Sequence, residues 1–307
     1  MSGVAEVGLI APRVAESLPD GPDWIFEWKY DGYRLQTSVS DRGVELLSRR
    51  GTNLTDLFPE ISRSVVVQVP AGTVLDGELV AFVDGRLSFD ALQQRMAAGV
   101  RRAADLGRVQ PASLMVFDLL ESGGRDVTGW SWRERRAAVE VLAPDWRPPL
   151  QLTPYTQDRD EALEWMRTLA PLGIEGVVAK RVTSRYRRGA EWIKVRSRET
   201  LAGIIGAVIG SINEPEALII GQVDDGRLGI LGRTSALSPT QAGAVGAQLR
   251  PPIDDHPWPA VIGSGHFGGP VQLTLVEPDV IAEVTADAAQ MGGRRRHALR
   301  FVRLRLD

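Results

Sequence analysis

The sequence predicts an α+β protein in two parts: a mixed domain of antiparallel strand pairs with flanking helices over residues 1–198, then a small all-β barrel over residues 199–307. Two observations carry this. In the first two thirds, segments of helical spacing alternate with short strand-like runs joined by turns. After Arg198 the texture changes to short β runs separated by Gly and Asp-Gly turns. A chain of 307 residues accommodates two such domains, and 43% hydrophobic content supplies both cores.

Residues 25–49 read as strands around turns: "IFEW" enters "KYDG", "YRLQTSV" leads out, and "VELLS" follows a "DRG" turn. "TVLDGELVAF" (73–82) is a strand pair or a bent strand, and "VDGRL" (83–87) signals a hairpin. "SFDALQQRMAAGVRRAADLG" has helical spacing, with Ser88 as N-cap and Gly107 as stop. "ASLMVFDLL" (112–120) is a buried strand, "SWRERRAAVEVLA" and "DRDEALEWMRTLAPLG" are helices, and "LAPDWRPPL" (142–150) is a loop. "GIEGVVAKRV" (173–182) and "EWIKVRS" (191–197) are strands. Beyond residue 198, "LAGIIGAVIG", "ALIIGQVDDGRLGILGRTS", "VIAEVTAD" and "RHALRFVRLRL" are strands. One helix, "SPTQAGAVGAQLR", interrupts them with Ser238, Pro239 and Gln241 forming a capping box. That pattern fits a barrel of the OB type, and other small barrels read similarly.

Composition excludes several classes of chemistry. The chain has no cysteine, so disulfides, thiolate metal sites and thiol nucleophiles are absent. Its three histidines (His256, His266 and His297) are too scattered for a histidine metal cage. No apolar run has membrane-spanning length, and "MSGVAEVGLIAPRVAESLPDG" lacks the form of a secretion signal, so the expectation is a cytoplasmic protein. Net charge is −3, yet residues 180–198 and 293–305 are strongly basic and interleaved with apolar residues. Solvated strand faces and contact with a polyanion both remain open there.

Lysine is the informative residue. Of 36 basic side chains only Lys29, Lys180 and Lys194 are lysines. Where a surface needs only positive charge, arginine serves this chain; arginine fails where an amine must lose its proton. Lys29 lies in K-x-D-G-x-R, where the Asp31-Gly32 turn would hold the ammonium at a strand end. In "EGVVAK", alternation puts Glu175, Val177 and Ala179 on one face and Gly176, Val178 and Lys180 on the other. Lys194 and Arg196 share a face of "EWIKVR". Glu78 and Glu175, with no histidine or cysteine nearby, point to a hard cation such as Mg²⁺ or Mn²⁺, or else to plain salt bridges. Phe117 alone reads as core packing.

Taken together and in order, these segments resemble the covalent nucleotidyltransferases: ATP-dependent DNA ligases, RNA ligases and mRNA capping enzymes. "KYDGYR" (29–34) looks like motif I, "SRRG" (48–51) like Ia and "LDGE" (75–78) like III. "FDLL" (117–120) looks like IIIa, "EGVVAK" (175–180) like IV, and "WIKVR" (192–196) like V. "RHALRFVRLRLD" resembles the motif VI region of bacterial end-joining ligases. "FDALQQR", "DDHPW" and that closing stretch resemble the stand-alone bacterial ligases called ligase C. The sequence departs from the family pattern at Arg196, where motif V has a second lysine, at Arg50 in motif Ia, and in stopping at Asp307.

The resemblance implies a nucleotidyltransferase (adenylation) domain followed by an OB-fold. It implies that Lys29 is the nucleophile that accepts AMP from ATP. Glu27 would contact the adenine edge and Phe117 would stack on its ring; Arg34 and Arg49 would bind ribose and phosphates. Glu78 and Glu175 would hold the ribose and a Mg²⁺ or Mn²⁺ ion, while Lys180, Lys194 and Arg196 would meet the α-phosphate. Arg305 and Asp307 would orient the departing pyrophosphate. The chemistry fits the residue types. About one free lysine in a few thousand is neutral at pH 7, and gathered cations favour the neutral form. The implied activity is sealing of 5′-phosphate/3′-hydroxyl breaks in duplex DNA, in repair or end joining, by a monomer. A Ku-like end binder and a gap-filling polymerase are the implied partners. An RNA ligase, a GTP-using capping enzyme and a non-catalytic OB-fold DNA-binding protein are the alternatives. Labelling with α-labelled ATP beside α-labelled GTP separates the nucleotides, and nicked DNA against nicked RNA separates the substrates.

Overall fold

The structure is a computed structural model that describes residues 8–187, 189, 191–263, 270–287, 290–291, 294–295 and 298–305. The chain divides into two compact units, Met1–Ser197 and Arg198–Asp307. No helix among the described residues is long and apolar enough to cross a membrane.

The first unit contains two mostly antiparallel sheets. One is built on β1 (Trp24–Lys29), β6 (Gly176–Arg181) and β7 (Trp192–Arg196), flanked by the two-residue strands Arg13–Val14 and Tyr155–Thr156. The other runs β3 (Gly43–Ser48), β2 (Tyr33–Ser40), β4 (Thr73–Val83), β5 (Ala112–Ser122). Residues 73–83 form one continuous strand through Asp76-Gly77 rather than a strand pair, because both β2 and β5 pair along its length.

Alternation decides which face of the second sheet is covered. Leu35 and Val39 of β2, Leu75 and Leu79 of β4, and Leu114 and Val116 of β5 lie in one apolar core. Helices α1 (Pro59–Gln68), α2 (Phe89–Val109) and α3 (Trp132–Leu142) add Ile61, Leu92 and Val139 to it. The opposite residues, Arg34, Gln36, Asp76 and Glu78, are left for the other face. The first sheet does the reverse: Phe26, Val177, Ala179, Ile193 and Val195 pack with Ala162 of α4 (Arg159–Thr168).

The expected caps form: Ser88 accepts from the Ala91 N–H, and Ser131 and Glu134 make a reciprocal capping box. Two helix features differ from the sequence pattern. α2 passes Gly107 to reach Val109 and is broken instead at Gly99, where φ is +72°. α1 has no counterpart in the sequence reading, because its run Val65-Val66-Val67 is β-branched and favours a strand. Tertiary contacts override that preference. Arg95 of α2, fully buried, forks onto Glu60 of α1 and donates to the Leu57 carbonyl at 2.8 Å, while Glu60 also accepts from Ala112 N at 3.1 Å.

In the second unit, β8 (Arg198–Gly210) is central to a sheet ordered β10 (Arg227–Arg233), β9 (Pro215–Asp224), β8, β11 (Ile281–Asp287), β12 (Arg300–Arg305). The two outer strands meet: Thr234 and Leu299 form a parallel bridge, with Leu299 N donating to the Arg233 carbonyl at 2.9 Å and Ser235 N to the Leu299 carbonyl at 2.7 Å. The sheet thus closes around Ile205, Val208, Leu218, Ile220, Val284 and Leu299. Helix α5 (Pro239–Gly246) sits in sequence between its third and fourth long strands, with the expected Ser238–Gln241 box.

Glu60→Ala would strand the buried Arg95 charge and is expected to destabilise the first unit by about 3 kcal/mol, read as a lower urea midpoint at unchanged slope.

Candidate active site

The site is a face of the β1–β6–β7 sheet, and strand register builds it. Antiparallel partners share a face, so the pairing sorts side chains into three rows. Lys29, Gly176 and Arg196 form the first row, Glu27, Val178 and Lys194 the second, and Ile25, Lys180 and Trp192 the third. The polar face of the β2–β4–β5 sheet, in the same unit, contributes Arg34, Asp76 and Glu78.

The first row carries Lys29. The close approach of Gly32 to β4 places the Lys29 turn: a Cβ there would lie 2.1 Å from the Leu79 carbonyl oxygen and 3.0 Å from Glu78 Cγ. That packing brings Lys29 and Glu78 within electrostatic reach. Lys29 is ion-paired with Glu175, a buried carboxylate. Simple alternation had turned Glu175 to the other face. Gly176 sits at φ +149°, a conformation glycine tolerates, and this break at the strand entry brings the Glu175 carboxylate to Lys29.

Electrostatics at this end are strong. Burial pushes Glu78 up to about 7, against the pull of Arg34 and Lys29, with Asp76 and Glu175 adding to the rise. Lys194 is held below the usual lysine range by burial and then by Lys29, Arg196 and Arg49, with Glu175 opposing. Arg49 itself is exposed. Five cations (Lys29, Arg34, Arg49, Lys194 and Arg196) and three carboxylates (Asp76, Glu78 and Glu175) are therefore electrostatically coupled here, a charge pattern suited to a polyphosphate with a divalent ion.

The third row is different in kind. Lys180 is 1% exposed and pairs with Glu27 at 2.7 Å. It also lies 3.8 Å from Asp118 and donates to the Phe117 carbonyl at 3.3 Å. It stands two rows from Lys29, so the structure does not place it with Lys194 and Arg196 as an α-phosphate contact. Phe117 is re-aimed by a β-bulge: Asp76 pairs with Asp118 and Gly77 with Val116, leaving Phe117 without a partner on β4. The Arg34 guanidinium lies 4.7 Å from its ring centre. Arg34 is in turn gripped by both oxygens of Asp76, at 2.6 and 2.5 Å, and the Tyr186 hydroxyl donates to Asp76 at 2.7 Å.

Arg305 is exposed on β12, and Asp307 lies outside the described residues. Several residues that shape the site were missed in the sequence: Asp76, Asp118, Trp132, Arg135, Tyr186 and Trp192. Asp76 and Asp118 stand inside "LDGE" and "FDLL", where two acids flanked by apolar residues on buried strands were the available signal. Arg135 and Tyr186 lie in polar runs and carry no such mark.

A strand-end lysine, a carboxylate pair and a cationic row between two antiparallel sheets fit a class: the nucleotidyltransferases. The ATP dependent DNA ligase domain profile matches residues 10–196. DNA ligase C2 of Mycolicibacterium smegmatis is 30% identical over 97% of this chain and 91% of its own length. DNA ligase C of Mycobacterium tuberculosis is 30% identical over 97% and 90%. A solved structure, mycobacterial DNA ligase D complexed with ATP and MES, is 28% identical over 98% of this chain and 96% of its own, with a TM-score of 0.53. The chain belongs to the ATP-dependent DNA ligase family.

Gly176→Ala would force a Cβ to within 2.1 Å of the Val195 carbonyl oxygen. It is expected to cost about 1–3 kcal/mol of stability, measurable by urea unfolding, because the backbone cannot keep both its turn and its pairing.

Proposed function

We propose that the chain seals 5′-phosphate/3′-hydroxyl breaks in duplex DNA and that Lys29 carries the AMP. The observation that carries this is the first row. An amine at a strand end stands opposite Arg196, one row from Lys194, against Glu175 and within the field of Glu78.

The Lys29 amine, having lost a proton, attacks the α-phosphorus of ATP. The N–P bond forms, the bond to the β-phosphate oxygen breaks, and pyrophosphate leaves. A DNA 5′-phosphate oxygen then displaces Lys29 from that phosphorus, and the 3′-hydroxyl displaces AMP to close the strand. Lys194 and Arg196 hold the α-phosphate, and Arg34 and Arg49 serve ribose and phosphates. Phe117, whose ring face carries Arg34, exchanges that cation for the adenine. Arg305 and Asp307 keep the pyrophosphate role that the resemblance implies.

The donor set suits a divalent ion. Glu175 raises the proton affinity of Glu78, and a cation held by these two carboxylates would relieve that repulsion. Among the described residues no cluster of three or more acidic or histidine ligands exists. That favours Mg²⁺ or Mn²⁺, which take one or two carboxylates and complete their shell with phosphate and water. When bound, such an ion neutralises charge on the phosphates.

Residues 1–198 would be the adenylation domain and 199–307 an OB-fold. The strand order, the edge closure and the placement of α5 support the latter. The basic strand of the barrel would hold DNA through its backbone. The relatives named as non-homologous end joining proteins support a role in repair or end joining. With that reading go a bacterial cytoplasmic location, a monomer, and a Ku-like end binder and a gap-filling polymerase as partners.

Purified protein with ATP and Mg²⁺ or Mn²⁺ is expected to gain the mass of one AMP, mapped to Lys29, and to seal nicked duplex DNA. Lys29→Arg should lose both, since a guanidinium stays protonated. An adduct at another residue, or a GMP adduct formed as readily from GTP, would overturn the assignment.

A further inference from the structure

We infer that Lys180 and Trp132 are positioning residues that select the purine: they hold Glu27 as a buried hydrogen-bond acceptor for the 6-amino group of adenine. This rests on the reading that the site takes ATP and places its base at Glu27.

The geometry is a chain of alternating charge. Glu27 Oε2 meets Lys180 Nζ at 2.7 Å, and Glu27 Oε1 accepts from Trp132 Nε1 at 3.3 Å. Each oxygen keeps a lone pair for a ligand. The ammonium of Lys180 donates to Glu27 and to the Phe117 carbonyl at 3.3 Å, and lies 3.8 Å from Asp118 as an ion pair. Asp118 is itself clamped by Arg135 at 2.6 and 3.0 Å. Arg135, fully buried, also donates to the carbonyls of Trp130 at 2.6 Å and Ser184 at 3.1 Å. Helix α3 thus fixes both partners of Glu27, one directly through Trp132 and one through Arg135, Asp118 and Lys180.

Burying four full charges is expensive, and apolar packing of similar volume would serve a purely structural purpose as well or better. What the geometry supplies is a full positive charge 2.7 Å from Glu27, which favours its ionised form. Burial still holds this carboxyl above the usual carboxylate range, with Lys180 and then Arg136 opposing the rise and Asp118 adding to it. As a carboxylate Glu27 can only accept, which matches an amino group and repels the oxygen of a 6-oxo purine. Without Lys180 the carboxyl would hold a proton and could donate to that oxygen. Lys180 therefore sets the direction of the hydrogen bond, and Trp132 sets its angle.

The test is nucleotidyl transfer to Lys29 from ATP and from ITP, which differ in the 6-substituent (amino against oxo) and in the proton that the 6-oxo base carries on N1. Wild type is expected to favour ATP in kcat/KM by at least about 100-fold. Lys180→Met should shrink that ratio by about 10-fold or more, with ITP use rising in absolute terms and KM for ATP changing more than kcat. Lys180→Arg should restore most of the ratio, and Trp132→Phe, which removes one N–H, should lower it by a few-fold, about 3-fold. A ratio unchanged in both variants, or ATP and ITP use falling together in Lys180→Met, would overturn the inference. Trp132→Phe carries the test alone should Lys180→Met not fold. A wild type that takes no AMP would remove the underlying reading; a labelled wild type with an unmoved ratio removes this inference only.

Discussion

The register of three strands is the constraint on which the site depends. Phe26, Val177, Ala179, Ile193 and Val195 must face α4, and once they do, Glu27, Lys29, Lys180, Lys194 and Arg196 have no choice but the other side. A slip of one residue would drive every one of those charges into the apolar layer. The hydrophobic effect thereby does the coarse positioning of the chemistry, and the charged groups refine it.

The refinement uses ion pairs of two sorts. At the Lys29 end a partly exposed ammonium pairs with a buried carboxylate beside unevenly matched charges, so the groups can exchange partners with a phosphate or a cation. Around Lys180 and Arg135 they are sealed and matched, with side chains 0–3% exposed. A desolvated, satisfied network resists rearrangement, because removing any member leaves a bare charge in a medium that cannot solvate it. The same face is therefore compliant at its Lys29 end and stiff around Lys180.

Much of the fold could be read from the residues. Period-two alternation located the strands, Ser88 and Ser238 marked helix starts, and the shortage of lysine singled out three side chains that share one sheet face. What escaped has physical causes. α1 is held by a buried ion pair across to α2, which outweighs the strand preference of its valines and leaves no local trace. The side occupied by Glu175 depends on one left-handed glycine, whereas alternation assumes regular backbone. Asp118 and Arg135 meet over seventeen positions with no repeating pattern, so only three-dimensional proximity reveals them. Lys180 was grouped with the phosphate-binding lysines because the motif gives its type and order but not its row.

The scarcity of primary amines has a practical corollary. With three lysine side chains in the whole sequence, Lys180 shut away from solvent and Lys29 about one-sixth exposed, an acylating reagent meets almost no competing surface lysine. Amine chemistry that would coat an ordinary protein is here a reporter for one cleft, and modification at Lys29 or Lys194 reads out its occupancy.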